Sequence, residues 1–366
     1  MLLRKAIVIG GVCISIALMT NISAHAGLYG FTQTENLPHA EHLQIPPRHI
    51  INYRKEMRDL FIAIAEYGKS RNQQFQILAH EGQYLLNKSL WEYHLDGYNK
   101  IRYSSKTVDD ASFLNLEAPE EEENQPAYIA KYVTTLDGMV VNNHYCQNRP
   151  LDSSLYDHEI PIISIEQCHD NTALDKAILQ SLTDGIVLYP FLYKSQAFRR
   201  VHQQLIINEN ANGIMSIKEA HNIGFILNDE PYASTFMLLN EIRQSNYDII
   251  VINPIFRDGK PFTKEDVEAM KYKKNGARRL VLAVYNISET KETDFFWRKK
   301  WHKTLPDWIA AKSPTNENAY VVKYWMPKWK DLTSRYFKSI VNSGYDGVFI
   351  TGLENHEFFE HNKPLE

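Results

Sequence analysis

Three glutamates, Glu81, Glu166 and Glu289, each stand at or just after the end of a short apolar segment. Hydrolysis of a glycosidic bond needs two carboxyl groups across the scissile bond, one protonated and one ionised. We therefore take these three residues as candidate catalytic carboxyl groups. The sequence supplies the residue types but not the distances between them, and an ion pair with a neighbouring loop is the alternative role for each.

Other polar and aromatic residues lie near or just after the ends of the same kind of apolar segment and are candidate ligands for a sugar. They are His80, Asn142, Tyr189, Asp229, Asn253 and Tyr285. A metal site built from histidines and glutamates of these segments is a weaker alternative, because no tight ligand spacing such as HExxH occurs. We therefore expect neither a metal nor a cofactor.

The C-terminal third of the chain contains five of the six tryptophans. Spacings of four residues, Trp297 to Trp301 and Trp325 to Trp329, predict that each pair lies on one face of a helix. Packing against the rest of the fold is the expected role of most of these rings. Tyr324 and Trp325 are the candidates for a flat surface on which a sugar ring stacks.

Eight apolar segments alternate with helical patterns along the chain. The segments are 75–79, 135–141, 160–165, 185–189, 223–227, 248–252, 280–287 and 346–350, and the helical patterns include 57–67, 173–182, 232–242, 265–270 and 332–341. Most apolar segments are continuous, as in parallel strands buried on both faces. This alternation predicts a (β/α)8 TIM barrel, whose functional residues lie at the carboxyl ends of the strands. A doubly wound sheet is the alternative, but no Gly-rich phosphate loop supports it.

Aspartates stand at the start of four of these segments, as Asp137, Asp184, Asp248 and Asp346. An Asp-Gly turn, present at three of them, suits a connection that enters a strand. The amino-terminal face of a barrel is structural. We therefore expect these aspartates to stabilise the fold and not to act on a substrate.

The bulk composition describes a soluble globular chain. The 366 residues are 44% hydrophobic and 23% charged, which is enough apolar material for a large core. The formal net charge is −4. A nucleic-acid-binding protein normally presents a basic face to the phosphates, so we expect no nucleic-acid partner.

Residues 1–26 have the pattern of a signal peptide. Arg4 and Lys5 form a basic start, 6–19 is an uncharged apolar run, and Ala-His-Ala at 24–26 supplies a small-x-small cleavage pattern. The apolar run is short for a membrane span. We expect a secreted or periplasmic protein without stable membrane insertion after cleavage, and an uncleaved anchor is the alternative.

The rest of the chain divides simply. We expect a polar N-terminal arm over 27–50 and a single barrel domain over 51–366, with an acidic solvated insertion near 104–126. Cleavage of the signal peptide leaves Cys146 and Cys168, and two cysteines in an oxidising compartment are a natural disulfide pair. Two free buried thiols are the alternative.

Segments 281–289, 320–325 and 344–349 share a residue pattern that is known from one enzyme family. They resemble the glycoside hydrolase family 114 barrel, which is related to endo-α-1,4-polygalactosaminidases. Segments 53–58 and 75–82 resemble parts of the same family that follow in its chain, whereas here they come first. The exchanged order predicts a circularly permuted barrel, which is possible where the chain ends of a barrel lie close together. The resemblance implies a polysaccharide or oligosaccharide partner, with amino-sugar polymers as the substrate class.

Departures from the family pattern affect the predicted mechanism. Asn253 stands where the family has a strand-end Asp, and an amide cannot ionise or relay a proton as a carboxylate does. Thr351, Met326 and Lys328 replace three further acidic residues, so that Glu289 is the acidic residue shared with the motifs. In one interpretation Glu81 or Glu166 supplies the second carboxyl group of a hydrolase. In the other, the barrel binds a glycan without hydrolysing it.

Overall fold

A computed structural model describes residues 51–93, 95–96, 126–193, 195, 197–201 and 206–362. The predicted signal peptide, the N-terminal arm and all of the acidic insertion except Pro126 lie outside the described residues. Those predictions therefore stay as predictions. Within the described residues, no helix is long and apolar enough to cross a membrane.

The described residues contain eleven strands in two sheets. Eight strands form the main sheet: β1 (Gln76–His80), β2 (Gly138–Asn142), β3 (Ile162–Cys168), β4 (Val187–Leu192), β5 (Ile223–Ile226), β6 (Ile249–Ile252), β7 (Leu280–Asn286) and β11 (Gly347–Thr351). The other three strands are β8 (Glu289–Lys291), β9 (Ile309–Lys312) and β10 (Ala319–Val322). Every apolar segment that the sequence marks as a barrel strand is confirmed as a strand, with shifts of a few residues at the ends.

The eight-stranded sheet is a nearly closed parallel barrel. Its order is β4-β3-β2-β1-β11-β7-β6-β5, and all seven hydrogen-bonded pairs are parallel. The two outermost strands of this order, β4 and β5, contact each other through side chains such as Tyr189 and Phe225, whose ring centroids are 5.0 Å apart. Each strand lies beside its neighbour in the chain order. A doubly wound sheet reverses its strand order, so this alternative is wrong.

Helices cover the outside of the barrel. They are α1 (Tyr53–Arg71), α2 (Ala127–Thr135), α3 (Ser154–Asp157), α4 (Asn171–Asp184), α5 (Thr235–Arg243), α6 (Lys264–Met270), α7 (Pro327–Asn342) and α8 (Asn355–Asn362). Side chains that accept backbone N–H groups fix several helix starts, including Asp170 before α4 and Ser234 before α5. All five helical patterns of the sequence lie on or overlap these helices.

Aromatic side chains fill much of the barrel interior. Phe225 of β5 lies 5.5 Å from Phe349 of β11 between ring centroids, and Tyr189 of β4 stacks on Phe198 at 5.3 Å. Phe198 comes from the segment after β4 and is buried with the strand residues. The interior is thus a packed core, and a ligand has room only beyond the strand ends.

Three of the four aspartates at the strand starts stabilise the fold, as the sequence predicts. Asp137 accepts the backbone N–H of Ile77 at 2.7 Å, and Asp346 accepts that of Val281 at 3.0 Å. Asp248 accepts the N–H of His221, just before β5. Each carboxylate therefore joins the start of one strand to the start of its neighbour.

The prediction that Trp297 and Trp301 share a helical face is wrong. Trp297 lies in irregular structure and Trp301 in a short 3-10 helix over Lys299–His302. This region extends from β8, β9 and β10, which form a separate antiparallel sheet. Trp297 stacks on Tyr320 of β10 with ring centroids 5.4 Å apart. The aromatic residues here pack a small β-structure, so the spacing of four does not report a helix.

Candidate active site at the carboxyl ends of the barrel strands

Glu289 lies three residues beyond the end of β7, and neighbouring side chains hold its carboxylate. The Asn286 side-chain amide donates to Glu289 Oε2 at 3.2 Å, and the Ser313 hydroxyl donates to Oε1 at 2.7 Å. Asn286 Oδ1 accepts the backbone N–H groups of Ser288 and Glu289, which fixes the turn between β7 and β8. The half-buried carboxylate thus has a defined orientation without a cation bound to it among the described residues.

Glu81 follows β1 directly and is buried, with a positive φ of 57°. Arg149 and the Asn142 side-chain amide each donate to Glu81 Oε1 at 2.7 Å. Asn142 also lies 3.0 Å from Nε2 of His80. Burial lowers the pKa of His80, while the Glu81 charge and the Asn142 hydrogen bond raise it and Arg149 lowers it. Glu81 is therefore an ion-paired carboxylate beside a neutral imidazole.

Glu354, which is not among the residues that the sequence singles out, is the third carboxyl group of this region. It lies in the turn after β11, and its Oε2 is buried without a hydrogen-bond partner among the described residues. Burial raises the pKa of Glu354 to about 8; its own backbone N–H lowers the pKa, and the charges of Glu81, Glu289 and Glu357 raise it. A carboxyl group that is protonated at neutral pH thus lies within electrostatic reach of Glu81 and Glu289.

Close backbone packing holds these three segments together. The Ser288 hydroxyl donates to the backbone oxygen of Gly352 at 2.6 Å and accepts from the Asn355 amide at 2.7 Å. Gly352 has a φ of +86°, and a Cβ there would collide with Ser288, so glycine is required for this approach. On the other side, a Cβ at Gly82 would lie 2.8 Å from Leu353 Cδ1. The turn that carries Glu354 is therefore fixed to both neighbouring turns.

Glu166, the remaining candidate carboxylate, is fully buried and serves a different purpose. Its oxygens accept the backbone N–H groups of Tyr145 at 3.0 Å and Cys146 at 2.8 Å, together with the Ser164 hydroxyl. The structure therefore places Glu166 beneath the loop after β2 and not beside Glu289. A glutamate near a strand end gives no sign in the sequence of whether it faces the mouth or a neighbouring loop.

A disulfide joins the same loop to β3, and the predicted pair is confirmed. Cys146 and Cys168 are bonded, with their Cα atoms 5.2 Å apart. The alternative of two free thiols is wrong. Because Arg149 follows three residues after Cys146, the bridge and Glu166 together fix the segment that presents Arg149 to Glu81.

Two polar candidates lie on the other side of the mouth. The Asn253 amide donates to the backbone oxygen of Leu227 at 2.7 Å, a bond that an ionised Asp could not make. Asp229 accepts the backbone N–H of Arg257 at 2.7 Å. Burial raises the pKa of Asp229, while that N–H and the Arg257 charge lower it. Both residues hold loops at the strand ends, and Asn253 has a structural reason to be an amide.

Four aromatic candidates are committed to packing, so the structure does not bring them to Glu289 and Glu81. The hydroxyl of Tyr285 donates to Thr333 of α7, outside the barrel wall. The hydroxyl of Tyr324 donates to the backbone of Tyr53, and Trp325 packs on Tyr53 and Phe359. Tyr189 faces the barrel interior. The alternation of side chains along a strand decides these orientations, and an apolar segment conceals it.

No group of three or more His, Cys, Asp or Glu residues in the described part of the chain is placed to hold a metal ion. Within that part, His80 lies beside Glu81, whereas His144 binds the backbone oxygen of Arg149 through Nδ1. The ionisable groups that meet at the mouth are carboxyl groups, one guanidinium and one imidazole. This set is suited to proton transfer and to the stabilisation of a positive charge.

Comparisons with known proteins give relatives but no activity. No protein-family profile matches the chain. An uncharacterised protein of Methanocaldococcus jannaschii is 29% identical over 164 residues, which are 43% of this chain and 46% of that protein. Uncharacterised proteins of Thermotoga maritima and Deinococcus radiodurans are 24% and 23% identical over 125 and 126 residues, covering 36% and 39% of their lengths. The chain spans less than half the length of these relatives, so its function is argued from the site.

Proposed function

We propose that the protein is an exported glycoside hydrolase-like barrel that acts on a polysaccharide, with Glu289 as its principal carboxylate. The observation that carries the proposal is the meeting of carboxyl groups at the ends of three adjacent strands, β1, β11 and β7. One of them, Glu354, is protonated at neutral pH, and Glu81 is paired with Arg149. Glycoside hydrolysis requires one protonated and one ionised carboxyl group across the scissile bond.

The resemblance to glycoside hydrolase family 114 supports amino-sugar polymers as the substrate class and a circularly permuted chain. The pairing of Gln76 with Gly347 between β1 and β11 is compatible with that permutation, because it joins the two segments whose order is exchanged. A barrel of ordinary chain order would close in the same way. The permutation is therefore proposed from the order of the motifs.

Two further features are part of the same proposal. The disulfide between Cys146 and Cys168 favours an oxidising compartment and so supports export. The net charge of −4 argues against a nucleic acid as partner. The proposed reaction is acid–base chemistry of carboxyl groups, and we propose no cofactor for it.

A barrel that binds glycan without hydrolysis is the second candidate. The observation that favours it is the loss of the family's strand-end Asp, since Asn253 is engaged with the backbone of Leu227. The engagement of Glu166 by backbone N–H groups removes one replacement for that Asp. Under this candidate, Glu289 would orient a sugar and would carry out no chemistry.

Release of reducing ends from a galactosamine-containing polysaccharide separates the two candidates. We expect the wild-type chain to release them and Glu289→Gln to reduce the rate at least about 100-fold, since the ionised carboxylate is lost. Glu265→Gln, on the exposed side of α6, is the matched control and should keep full activity. Binding of the polysaccharide without release by the wild-type chain would contradict the hydrolase and support the binding protein.

A further inference from the structure

We propose that Glu354 is the general acid of this site and gives its proton to the glycosidic oxygen. This inference rests on the proposed function. The resemblance points to Glu289 and the sequence to Glu81 and Glu166, so neither selects Glu354. The inference comes from the position of the residue between the other two carboxyl groups and from the state of its oxygens.

The position of Glu354 follows from the strand order. Strand β11 lies between β1 and β7, so the turn after it emerges between Glu81 and Glu289. Ser288 ties this turn to the Glu289 side, and the contact of Leu353 with Gly82 ties it to the Glu81 side. Glu354 thus projects from a turn whose backbone is fixed on both flanks, as a proton donor needs.

The surroundings of the Glu354 oxygens are those of a protonated acid and not those of an ion-paired carboxylate. Oε2 is buried without a partner in the described part of the chain, and the carboxyl group is hydrogen-bonded to its own backbone N–H. No Lys, Arg or His lies within ion-pair distance of Glu354 among the described residues. A buried carboxyl group without a cation favours the neutral form.

The charged groups around Glu354 also favour its protonated form. Glu81, Glu289 and Glu357 all act on it as like charges. The Arg149 guanidinium binds Glu81 Oε1 at 2.7 Å and so holds the Glu81 carboxylate in place. Glu81 is therefore a positioning residue in this scheme: its fixed charge keeps a proton on Glu354. His80 lies beside Glu81; partial burial lowers its pKa, so that it adds no positive charge at neutral pH.

The reaction step balances with these groups alone. The bond between the anomeric carbon and the glycosidic oxygen breaks, and its electron pair stays on that oxygen. The proton of Glu354 neutralises the oxygen, so one sugar leaves as an alcohol and Glu354 becomes a carboxylate. The ionised Glu289 stabilises the positive charge that develops at the anomeric carbon. Water supplies the oxygen that ends on this carbon, and its surplus proton restores Glu354.

Leaving-group dependence tests the acid role. The substrates are a galactosamine polysaccharide and the 2,4-dinitrophenyl glycoside of a galactosamine oligomer, whose leaving group needs no protonation. We expect Glu354→Gln to lose about 100-fold or more of kcat/KM on the polysaccharide but less than about 5-fold on the dinitrophenyl substrate. Glu289→Gln should lose activity on both, and Glu265→Gln on neither.

The outcomes separate the two proposals. An active wild-type chain with an equally active Glu354→Gln variant on the polysaccharide overturns the acid role and leaves the hydrolase standing. A wild-type chain that releases nothing from either substrate overturns the hydrolase, and the acid role with it. Equal losses on both substrates also overturn the acid role, because removal of a proton donor spares the activated leaving group.

Carbon-13 NMR of glutamate carboxyl groups is a second measurement that does not depend on turnover. The Glu354 signal, assigned with Glu354→Gln, should titrate near pH 8 in the wild-type chain. In Glu81→Gln its midpoint should move to lower pH, because a like charge is removed. A midpoint below about 5 in the folded wild-type chain would overturn the acid role even if hydrolysis is observed.

Discussion

Carboxyl groups at the two ends of the barrel have opposite surroundings. At the amino-terminal end, Asp248 binds Lys273, with both side chains fully buried, and Asp346 binds Arg278 at 2.6 Å. Each of these aspartates also accepts a backbone N–H at or just before the start of the neighbouring strand. At the carboxyl-terminal end, the half-buried Glu354 has like charges around it and a buried oxygen, Oε2, without a partner among the described residues.

The difference distinguishes carboxyl groups that stabilise the fold from a carboxyl group that is available for chemistry. Paired aspartates between strand starts stabilise the folded chain, since removing one partner of a buried pair leaves an unpaired charge. An unpaired glutamate destabilises the folded chain at neutral pH and is retained where a proton must be held and released. We therefore expect that removing a carboxyl charge lowers stability at the amino-terminal end and raises it at Glu354.

The largest effect is expected at the amino-terminal end. Asp248→Ala leaves Lys273 buried without its carboxylate and frees the His221 N–H, so the free energy of unfolding should fall by about 3–5 kcal/mol. Urea unfolding followed by circular dichroism measures the change. Asp258→Ala, at an exposed turn, is the control and should change stability by less than about 0.5 kcal/mol. Equal stability of the two variants would contradict the structural role of the aspartates at the strand starts.

The disulfide lies at the carboxyl-terminal end of the barrel, and we expect it to raise the free energy of unfolding by about 3 kcal/mol. It joins residues 22 apart, and in the chain-entropy model such a bridge restricts the unfolded chain by about that amount. The double variant Cys146→Ser/Cys168→Ser should therefore unfold at lower urea concentration than the wild-type chain. Reduction of the wild-type protein should have the same effect, and reduction of the double variant should have none.

Glu354→Gln should stabilise the protein, in contrast to the aspartate variant. The pKa of Glu354 is raised from 4.5 to about 8, so wild-type stability is complete below pH 4.5 and falls as the pH rises towards 8. Glutamine cannot ionise, and the variant should gain up to about 3 kcal/mol over the wild-type chain at pH 7. Unfolding at pH 4.5 and pH 8 measures this gain, which should vanish at the lower pH. A gain of equal size at both pH values would rule out protonation as its cause.

The smallest effect is expected at Asn253. Asn253→Asp restores the family's carboxyl group but places its charge against the backbone oxygen of Leu227, and we expect a loss of about 1–2 kcal/mol at pH 7. The loss should shrink at pH 3.5, where a protonated Asp donates to that oxygen. Asn253→Gln at both pH values is the matched control. A gain in hydrolytic rate in Asn253→Asp would show that the site still accepts the carboxyl group of the resembled family.

The sequence predicted the barrel well because strand positions depend on local apolar content. Segments such as 248–252 and 346–350 are buried on both faces and need no knowledge of their neighbours. The small sheet of β8, β9 and β10 was not predicted, since its pairing is non-local and its tryptophan spacing imitates a helix. Trp297 belongs to that sheet's packing.

The site was predicted less completely because it depends on which way a side chain faces. Glu166 and Glu289 both stand near strand ends, yet Glu166 is engaged by loop N–H groups and Glu289 is not. Glu354 lies three residues beyond β11, where spacing gives no sign of burial. One available signal was overlooked: in a sequential barrel the last strand lies beside the first, which brings Glu354 next to Glu81.

The bridge between Cys146 and Cys168 has a practical consequence for anyone who prepares this protein. The loop that it closes also presents Arg149 to Glu81, so the bridge helps to set the charge pattern at the mouth. A recombinant host that keeps thiols reduced would yield chains in which this guanidinium is less well fixed. Material for assay should therefore come from an oxidising host or be re-oxidised, with the thiol content measured before activity is judged.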